Sequence, residues 1–182
     1  MSIRRLRTGF TTGTAAAAAA KAALLTILEG QPPREVSVEL LTGDRISIAV
    51  HTCRLIDGET AACTVVKDAG DDPDVTHGAE IGAIVGLRDA AESGLLPAAV
   101  AITGGAGVGR ITKPGLELPP GEPAINPGPR RMITQAVREA LSAHPGRHAA
   151  TVEIFVPKGV EIARKTLNAR LGIIGGISIL GT

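Results

Sequence analysis

Residues 11–28 read TTGTAAAAAAKAALLTIL, and this stretch decides the fold because it predicts one long helix that must be buried. Alanine and leucine have the highest helix propensities, so the run from Ala15 to Leu28 favours a helix throughout. The threonines before it can cap its first turn, and Gly30 followed by two prolines ends it. Because nearly every side chain is small and apolar, we expect this helix to pack closely on a sheet.

The rest of the chain alternates strand-like and helical patterns in mixed order. Asp57-Gly58 is a strong hairpin signal, and Pro129 opens a helix through Ala143 with one apolar stripe. The expected strands are 36–41, 45–50, 61–67, 80–85, 98–103 and 151–156, with a further short helix at 160–166. We therefore predict an α+β fold, with a mixed or antiparallel sheet packed against the Ala-rich N-terminal helix and a second amphipathic helix.

The composition fits one globular domain, with 182 residues of which 44% are hydrophobic and 20% are charged. A net charge of +1 and only two aromatic residues argue against nucleic-acid binding, which uses basic surfaces and stacking platforms. Arg4, Arg5 and Arg7 precede the alanine run as in a signal peptide, but glycines and Lys21 interrupt that pattern. No segment is long and apolar enough to span a bilayer. We expect a cytoplasmic protein with neither nucleic acid nor a membrane as partner.

The two cysteines, Cys53 and Cys63, flank the predicted turn at Asp57-Gly58. A two-residue loop places Cys53 opposite Ala62 and puts the thiols on opposite faces of the ribbon. A three-residue loop places the two cysteines directly across from each other. For a cytosolic protein we expect reduced, mostly buried thiols.

A glycine-rich loop follows the predicted strand 98–103 and contains Gly104, Gly105, Gly107 and Gly109. Such a loop lets backbone amides approach an anion or a nucleotide without obstruction. It lacks the Lys-Ser/Thr of a phosphate-binding P-loop, and no regular helix obviously follows it as the dinucleotide fingerprint requires. The alternative is a structural turn. Arg110 and Lys113, which come next, favour the functional reading.

An acidic loop at 68–78 gathers four aspartates and one histidine, namely Asp68, Asp71, Asp72, Asp74 and His77. Groups of these types can bind a metal or transfer protons. The spacing is not that of a calcium-binding EF-hand, because no glutamate closes the loop at the twelfth position. The alternative is an Asp-rich turn whose side chains bond to their own backbone.

A third candidate stretch, residues 121–131, reads GEPAINPGPRR. Its prolines make the loop rigid and aim two arginines from the start of the following helix. Cations at a helix N-terminus are unfavourable by about a few tenths of a kcal/mol, so Arg130 and Arg131 can have another task. That task can be a bidentate grip on a carboxylate, and the alternative is a solvated pair of arginines.

Taken together, these stretches resemble the cobalt-precorrin-5B C1-methyltransferases, a family of anaerobic cobalamin biosynthesis. The resemblance rests on RTGFTTGT at 7–14, KDAGDDPDVTHG at 67–78, GGAGVG at 104–109, TKPGL at 112–116, GEPAINPGPR at 121–130 and LGIIGGISILGT at 171–182. The motifs cover the whole chain in order. Ala15 stands where family members often carry a cysteine, so a thiol at that position is not essential here.

The resemblance implies transfer of a methyl group from S-adenosylmethionine to C1 of cobalt-precorrin-5B, which gives cobalt-precorrin-6A. The cobalt belongs to the tetrapyrrole substrate, so we expect no metal site of the protein's own. Family members continue into a second α/β domain, so residues 1–182 are expected to be an N-terminal α+β domain. The oligomeric state stays open and includes a homo-oligomer. The alternative functions are a non-catalytic corrinoid-binding module and a nucleotide-phosphate binder.

The same resemblance gives the loops their expected roles. The candidates for proton transfer or ring orientation are Asp68, Asp71, Asp72, Asp74 and His77. The candidates for substrate binding are Thr11, Thr12, Gly13, Thr14, Gly104, Gly105, Gly107, Gly109, Arg110, Lys113, Asn126, Arg130 and Arg131. The basic members would hold the acetate and propionate groups of the ring, and the free amides at the helix start would receive an anion.

Overall fold

The computed structural model describes residues 7–94, 96–144, 146 and 148–181. The helices in this part of the chain are α1 (Thr12–Glu29), α2 (Ala90–Ser93), α3 (Pro127–Ala143), α4 (Gly159–Ala163) and α5 (Asn168–Leu171). The strands are β1 (Glu35–Glu39), β2 (Arg45–Ala49), β3 (Thr52–Asp57), β4 (Thr60–Val66), β5 (Glu80–Asp89), β6 (Val100–Gly104), β7 (Gly107–Val108), β8 (Arg110–Ile111), β9 (His148–Phe155), β10 (Ile173–Ile174) and β11 (Gly176–Ile177). None of the described helices is long and apolar enough to cross a membrane.

Five strands form the central sheet in the spatial order β3-β4-β5-β9-β6. Neighbouring strands run antiparallel except β6 and β9, which are parallel. Helix α1 packs against β4 and β5, and α3 packs beside α1. The hairpin of β1 and β2 is separate from this sheet. The predicted α+β class, with a mixed sheet and two principal helices, is confirmed.

Helix α1 is the buried element that its sequence predicts. The Thr11 hydroxyl accepts a hydrogen bond from the Thr14 amide at 3.1 Å, and Gly30 ends the helix in the left-handed conformation at φ 74°. The alanines at 15–20 have no exposed surface. Because alanine ends at Cβ, neighbouring backbones can approach closely. At Gly13 even a Cβ would be too large, since it would meet Pro129 and Met132 of α3.

Helix α3 confirms the predicted apolar stripe, which is buried throughout and comprises Met132, Ile133, Ala136, Val137, Ala140 and Leu141. The helix begins at Pro127, two residues before the predicted start, because proline is favoured in the first turn where its missing N–H costs nothing. Its opposite face carries polar and charged side chains and is exposed.

The expectation of reduced thiols is wrong, because the structure joins Cys53 to Cys63 in a disulfide. The two residues lie directly opposite each other on β3 and β4. A register shift between Leu55 and Asp57 inserts one extra residue into β3. The turn also lies one residue later than predicted, between Asp57 and Thr60, so that without the bulge Cys53 would face Thr64; the bulge shifts the pairing to Cys63.

The last described residues return to the start of α1. Strand β11 pairs with β7 in parallel, which directs the chain toward the first turn of the helix. The Leu180 amide donates to Thr12 Oγ1 at 2.8 Å, and the Leu180 carbonyl accepts from the Gly13 amide at 2.8 Å. These bonds join positions 168 and 167 residues apart and place the segment 178–181 beside the first turn of α1.

Candidate functional site

A cavity of about 560 Å³ opens at the first turn of α1, where three segments of the chain meet. Its volume lies within the range of roughly 300–1,000 Å³ that is typical of small-molecule sites. The lining residues are Arg7, Thr8, Gly9, Phe10, Thr11, Thr12, Lys67, Ala69, Asp72, Asp74, Thr76, Ser178, Leu180 and Gly181. The cavity therefore joins the start of α1 to the acidic loop, two of the stretches that the sequence singles out.

Arg7 ties the first described residues to the acidic loop. Its guanidinium donates to both carboxylate oxygens of Asp68, at 2.7 and 2.9 Å, and its amide donates to Asp71 Oδ2 at 2.8 Å. The hydrogen bond from the Gly70 amide, followed by the charge of Arg7, lowers the pKa of Asp68. Asp68 and Asp71 are thus engaged in holding one cavity wall together.

Lys67 and Asp74 form the ion pair at the base of the cavity. The Lys67 side chain is 3% exposed, and its Nζ lies 2.7 Å from Asp74 Oδ2. The other oxygen of Asp74 accepts from the Thr76 amide and hydroxyl, both at 2.7 Å. Burial alone would raise the pKa of Asp74, but the hydrogen bonds from Lys67 and Thr76 outweigh it and lower that pKa to about 2.

Asp72 and His77 differ from their neighbours in the acidic loop. The Asp72 side chain is exposed, lines the cavity and has no hydrogen bond or ion pair to any residue in the described ranges. His77 Nδ1 accepts a hydrogen bond from the Ala69 amide at 3.0 Å, which places the proton of the neutral ring on Nε2. His77 is outside the cavity lining, so the loop offers Asp72 as its uncommitted carboxylate.

The segment Thr11 to Thr14 directs most of its polar groups inward. The Thr14 amide donates to Thr11 Oγ1, and the Gly13 amide donates to the Leu180 carbonyl. The side chains of Thr12 and Thr14 are buried. Of the amides at Thr12, Gly13 and Thr14, only that of Thr12 lacks a partner within the described part of the chain. An anion at this helix start would therefore meet the Thr12 amide and the Thr11 hydroxyl.

The glycine loop is packed against neighbouring backbone and contributes nothing to the cavity lining. Gly107 has φ 76°, and a Cβ there would overlap the Val156 carbonyl. The amides of Gly105 and Gly109 donate to carbonyls of β9 and β11, at 2.7 and 2.8 Å. A Cβ at Gly104 would meet Pro123. This geometry gives the four glycines of the predicted set a packing role and leaves no open cradle for an anion.

The basic candidates fall into two groups. The guanidinium of Arg110 donates to a backbone carbonyl of the proline-rich loop, and Arg130 pairs with Glu122 at 3.3 Å. Lys113 and Arg131 are exposed, and neither has a hydrogen bond or an ion pair within the residues that the structure places. Lys113 and Arg131 are therefore the two candidates free to bind an acidic ligand.

A shallow groove runs along the exposed face of α3 and contains three arginines. Its lining residues are Arg130, Arg131, Thr134, Gln135, Arg138, Glu139 and Ser142. Glu139 is already neutralised by Lys21 at 2.8 Å and by Arg45 at 3.0 Å. The remaining charge of the groove is positive, which suits a ligand with several carboxylates. Asn126, at the start of α3, donates to Glu117 Oε2 at 3.3 Å.

Lys67 belongs to the motif of the acidic loop but is not among the site residues predicted from the sequence. The signal was available in the alternation of β4, because Ala61, Cys63 and Val65 all belong to the core beneath α1. A lysine two residues further on continues that buried face. Phe10 was also missed, although it is one of only two aromatic residues and lines the cavity.

Comparisons with known proteins agree along the whole chain. The family model described as CbiD matches residues 2–182. A protein of Bradyrhizobium sp. named cobalt-precorrin-5B C(1)-methyltransferase is 52% identical over 181 residues, which are 98% of this chain and 46% of that protein. A protein of Geobacillus thermodenitrificans with the same name is 51% identical over 179 residues, again 98% and 46%. The chain thus spans about half the length of the curated relatives it matches.

A solved structure shows the same fold. The 1.9 Å crystal structure of the cobalamin biosynthesis protein (cbiD) from Archaeoglobus fulgidus superposes with a TM-score of 0.73 at 32% identity. The match covers 97% of this chain and 53% of that one. With agreement in sequence and in fold over nearly its full length, this chain belongs to the CbiD family.

Proposed function

We propose that this chain is the N-terminal domain of a cobalt-precorrin-5B C1-methyltransferase, which gives cobalt-precorrin-6A. The observation that carries the proposal is the identity of about half of all positions to relatives of that name over 98% of the chain. The methyl donor is S-adenosylmethionine, and the cobalt enters as part of the substrate. The proposal includes a cytoplasmic location and leaves the oligomeric state open, with a homo-oligomer among the alternatives.

The chemistry is a displacement at a sulfonium methyl group. The C–S bond breaks as the bond to C1 forms, the electron pair stays on sulfur, and S-adenosylhomocysteine leaves. Because the donor is already activated, the protein contributes chiefly by aligning the two substrates. A base is needed only where a proton must leave the ring.

The acidic periphery of the ring needs cations that are not already paired. Arg131 and Lys113 meet that condition, whereas Arg110 and Arg130 are engaged with their own loop. Arg138 lines the same groove as Arg131, although its Nε donates to the Ala98 carbonyl at 3.0 Å. We therefore place the acetate and propionate groups of the ring on this basic surface, with Arg131 as its principal free contact.

Titration with a cobalt-corrinoid polycarboxylate tests the proposal. Amino-acid side chains do not absorb visible light, so the visible absorbance of the corrinoid is followed without interference from the protein. We expect saturable binding that weakens several-fold in Arg131→Ala, as the loss of one charge-assisted contact requires. Arg164→Ala is the matched control, because Arg164 is exposed at the end of α4. Absence of any spectral change would refute the proposal.

A second candidate is a non-catalytic corrinoid-binding module. The observation in its favour is that the chain spans about half the length of its relatives, so catalysis can require the other half. Saturable binding of the corrinoid without methyl transfer from S-adenosylmethionine would support this candidate over the enzyme.

A further inference from the structure

The cavity at the start of α1 contains charges of both signs that are only partly satisfied by each other. Its lining includes the cations Arg7 and Lys67 and the carboxylates of Asp72 and Asp74. Arg7 is neutralised by Asp68, and Lys67 is paired with Asp74. Among the described residues, this leaves the Asp72 carboxylate of the lining without a partner and Lys67 with Asp74 alone as its partner. This combination matches a ligand that carries both a negative and a positive group.

Lys67 supplies the positive half of the site. An ammonium has three donors, and Asp74 accepts one of them in the described part of the chain. The side chain is 3% exposed, so little bulk water reaches the remaining donors. Nζ already has Asp74 as an acceptor, and a ligand carboxylate in the cavity would accept a second, charge-assisted hydrogen bond from it. Lys67 is therefore built to accept an anion from the cavity side.

The surroundings exclude a ligand with many carboxylates. In the described part of the lining, Asp74 is paired with Lys67 and Arg7 with Asp68, so the unpaired charge is the negative one of Asp72. Like charges at close range repel, which disfavours the acetate and propionate groups of the tetrapyrrole here. A ligand with net positive charge and one carboxylate is favoured. S-adenosylmethionine has this character, with a sulfonium, an ammonium and one carboxylate.

Phe10 adds an apolar wall to the same cavity. An aromatic face attracts cations and stacks with nucleobases, and a sulfonium attached to an adenosine presents both. Ser178 and Leu180 line this cavity and also a smaller cavity of about 190 Å³ that contains Asn126, at the start of α3.

We propose that this cavity binds the amino-acid end of S-adenosylmethionine, with Lys67 holding the carboxylate and Asp72 the ammonium. This inference rests on the proposed function for the identity of the donor. It assigns the donor to the acidic cavity and leaves the basic surface of α3 to the ring.

Calorimetric titration of the chain with S-adenosylmethionine tests the assignment. Lys67→Met keeps the length of the side chain and removes its charge, and Asp72→Asn removes the second charge. We expect the dissociation constant to rise about tenfold or more in Lys67→Met and several-fold in Asp72→Asn, as the loss of a charge-assisted contact predicts. Lys158→Met and Glu161→Gln, at exposed positions on α4, are the matched controls and should bind as the wild type does.

Methylthioadenosine serves as the second probe because it lacks the amino-acid end. Its affinity should be unchanged in both cavity variants. Equal loss of affinity for both probes, or wild-type affinity for S-adenosylmethionine in both variants, overturns the assignment. If circular dichroism shows that Lys67→Met does not fold, the affinity of Asp72→Asn for S-adenosylmethionine decides whether the assignment holds. A chain that binds the corrinoid but no S-adenosylmethionine refutes this inference alone, whereas a chain that binds the donor but no corrinoid refutes the proposed function.

Discussion

Replacing Asp74 by asparagine removes the counter-charge of the buried Lys67 and should destabilise the domain. The pKa of Asp74 falls from its ordinary 3.8 to about 2 in the folded protein, which corresponds to roughly 2 kcal/mol before solvent screening. Water screens part of this energy, because the Asp74 side chain is 38% exposed. The Lys67 ammonium, whose side chain is 3% exposed, would stay buried without a counter-charge in the variant, and this adds to the loss of stability. We expect Asp74→Asn to lower the free energy of unfolding by about 2 kcal/mol at neutral pH.

Urea unfolding followed by far-ultraviolet circular dichroism measures this loss, since the chain has no tryptophan for fluorescence. Asp72→Asn is the matched control, because Asp72 is exposed and should change stability by less than about 0.5 kcal/mol. A carboxylate whose pKa is lowered by folding stabilises above its unfolded pKa and loses that contribution as the pH falls through its folded pKa. The difference between wild type and Asp74→Asn should therefore shrink between pH 3.8 and about 2. Equal stability of the two variants at neutral pH would contradict the buried ion pair.

Other predictions concern the pieces that hold the site in place. The hydrogen bond from Arg45 is the largest cause that lowers the pKa of Glu139 from 4.5 to about 2. Glu139→Gln should therefore lower the free energy of unfolding by about 1–2 kcal/mol above pH 4.5, and by progressively less toward pH 2. Thermal unfolding at several pH values measures this loss. Gly107→Ala should lower the free energy of unfolding in urea by at least about 2 kcal/mol, because a Cβ would overlap the Val156 carbonyl. Gly121→Ala is the control: its φ is also positive but a Cβ there would meet open space, so the loss should be about 1 kcal/mol. Cys53→Ser removes the disulfide and should lower the free energy of unfolding by about 2–3 kcal/mol, since the two cysteines are 10 residues apart. Alkylation before and after reduction, followed by mass analysis, checks that the bond exists.

The principal elements could be predicted because local chemistry determines them. Helix α1 follows from alanine propensity, a threonine cap and a glycine stop, and each signal lies within the helix or beside it. The stripe on α3 follows from a period of 3.6 residues. The cysteine pairing was mispredicted because it depends on a bulge between Leu55 and Asp57, and one extra residue in a strand leaves no clear mark in the sequence.

The candidate site could be predicted only in part, because contacts between distant segments form it. The acidic loop was recognisable from its composition. Its division into engaged carboxylates and the free Asp72 depends on Arg7, which lies more than 60 residues away along the chain. The helix start was expected to offer free amides, but the Leu180 carbonyl already accepts that of Gly13 across 167 residues. Spacing in the sequence carries no information about such long-range partners.

Transfer of a labelled methyl group tests the central claim most directly. The chain is incubated with cobalt-precorrin-5B and S-adenosylmethionine that carries an isotopic label in its methyl group, and the tetrapyrrole is analysed by mass spectrometry. The account predicts a product that has gained one labelled methyl group, with S-adenosylhomocysteine formed in equal amount. A tetrapyrrole that binds the chain but acquires no label would contradict the enzymatic assignment and leave this chain a corrinoid-binding module.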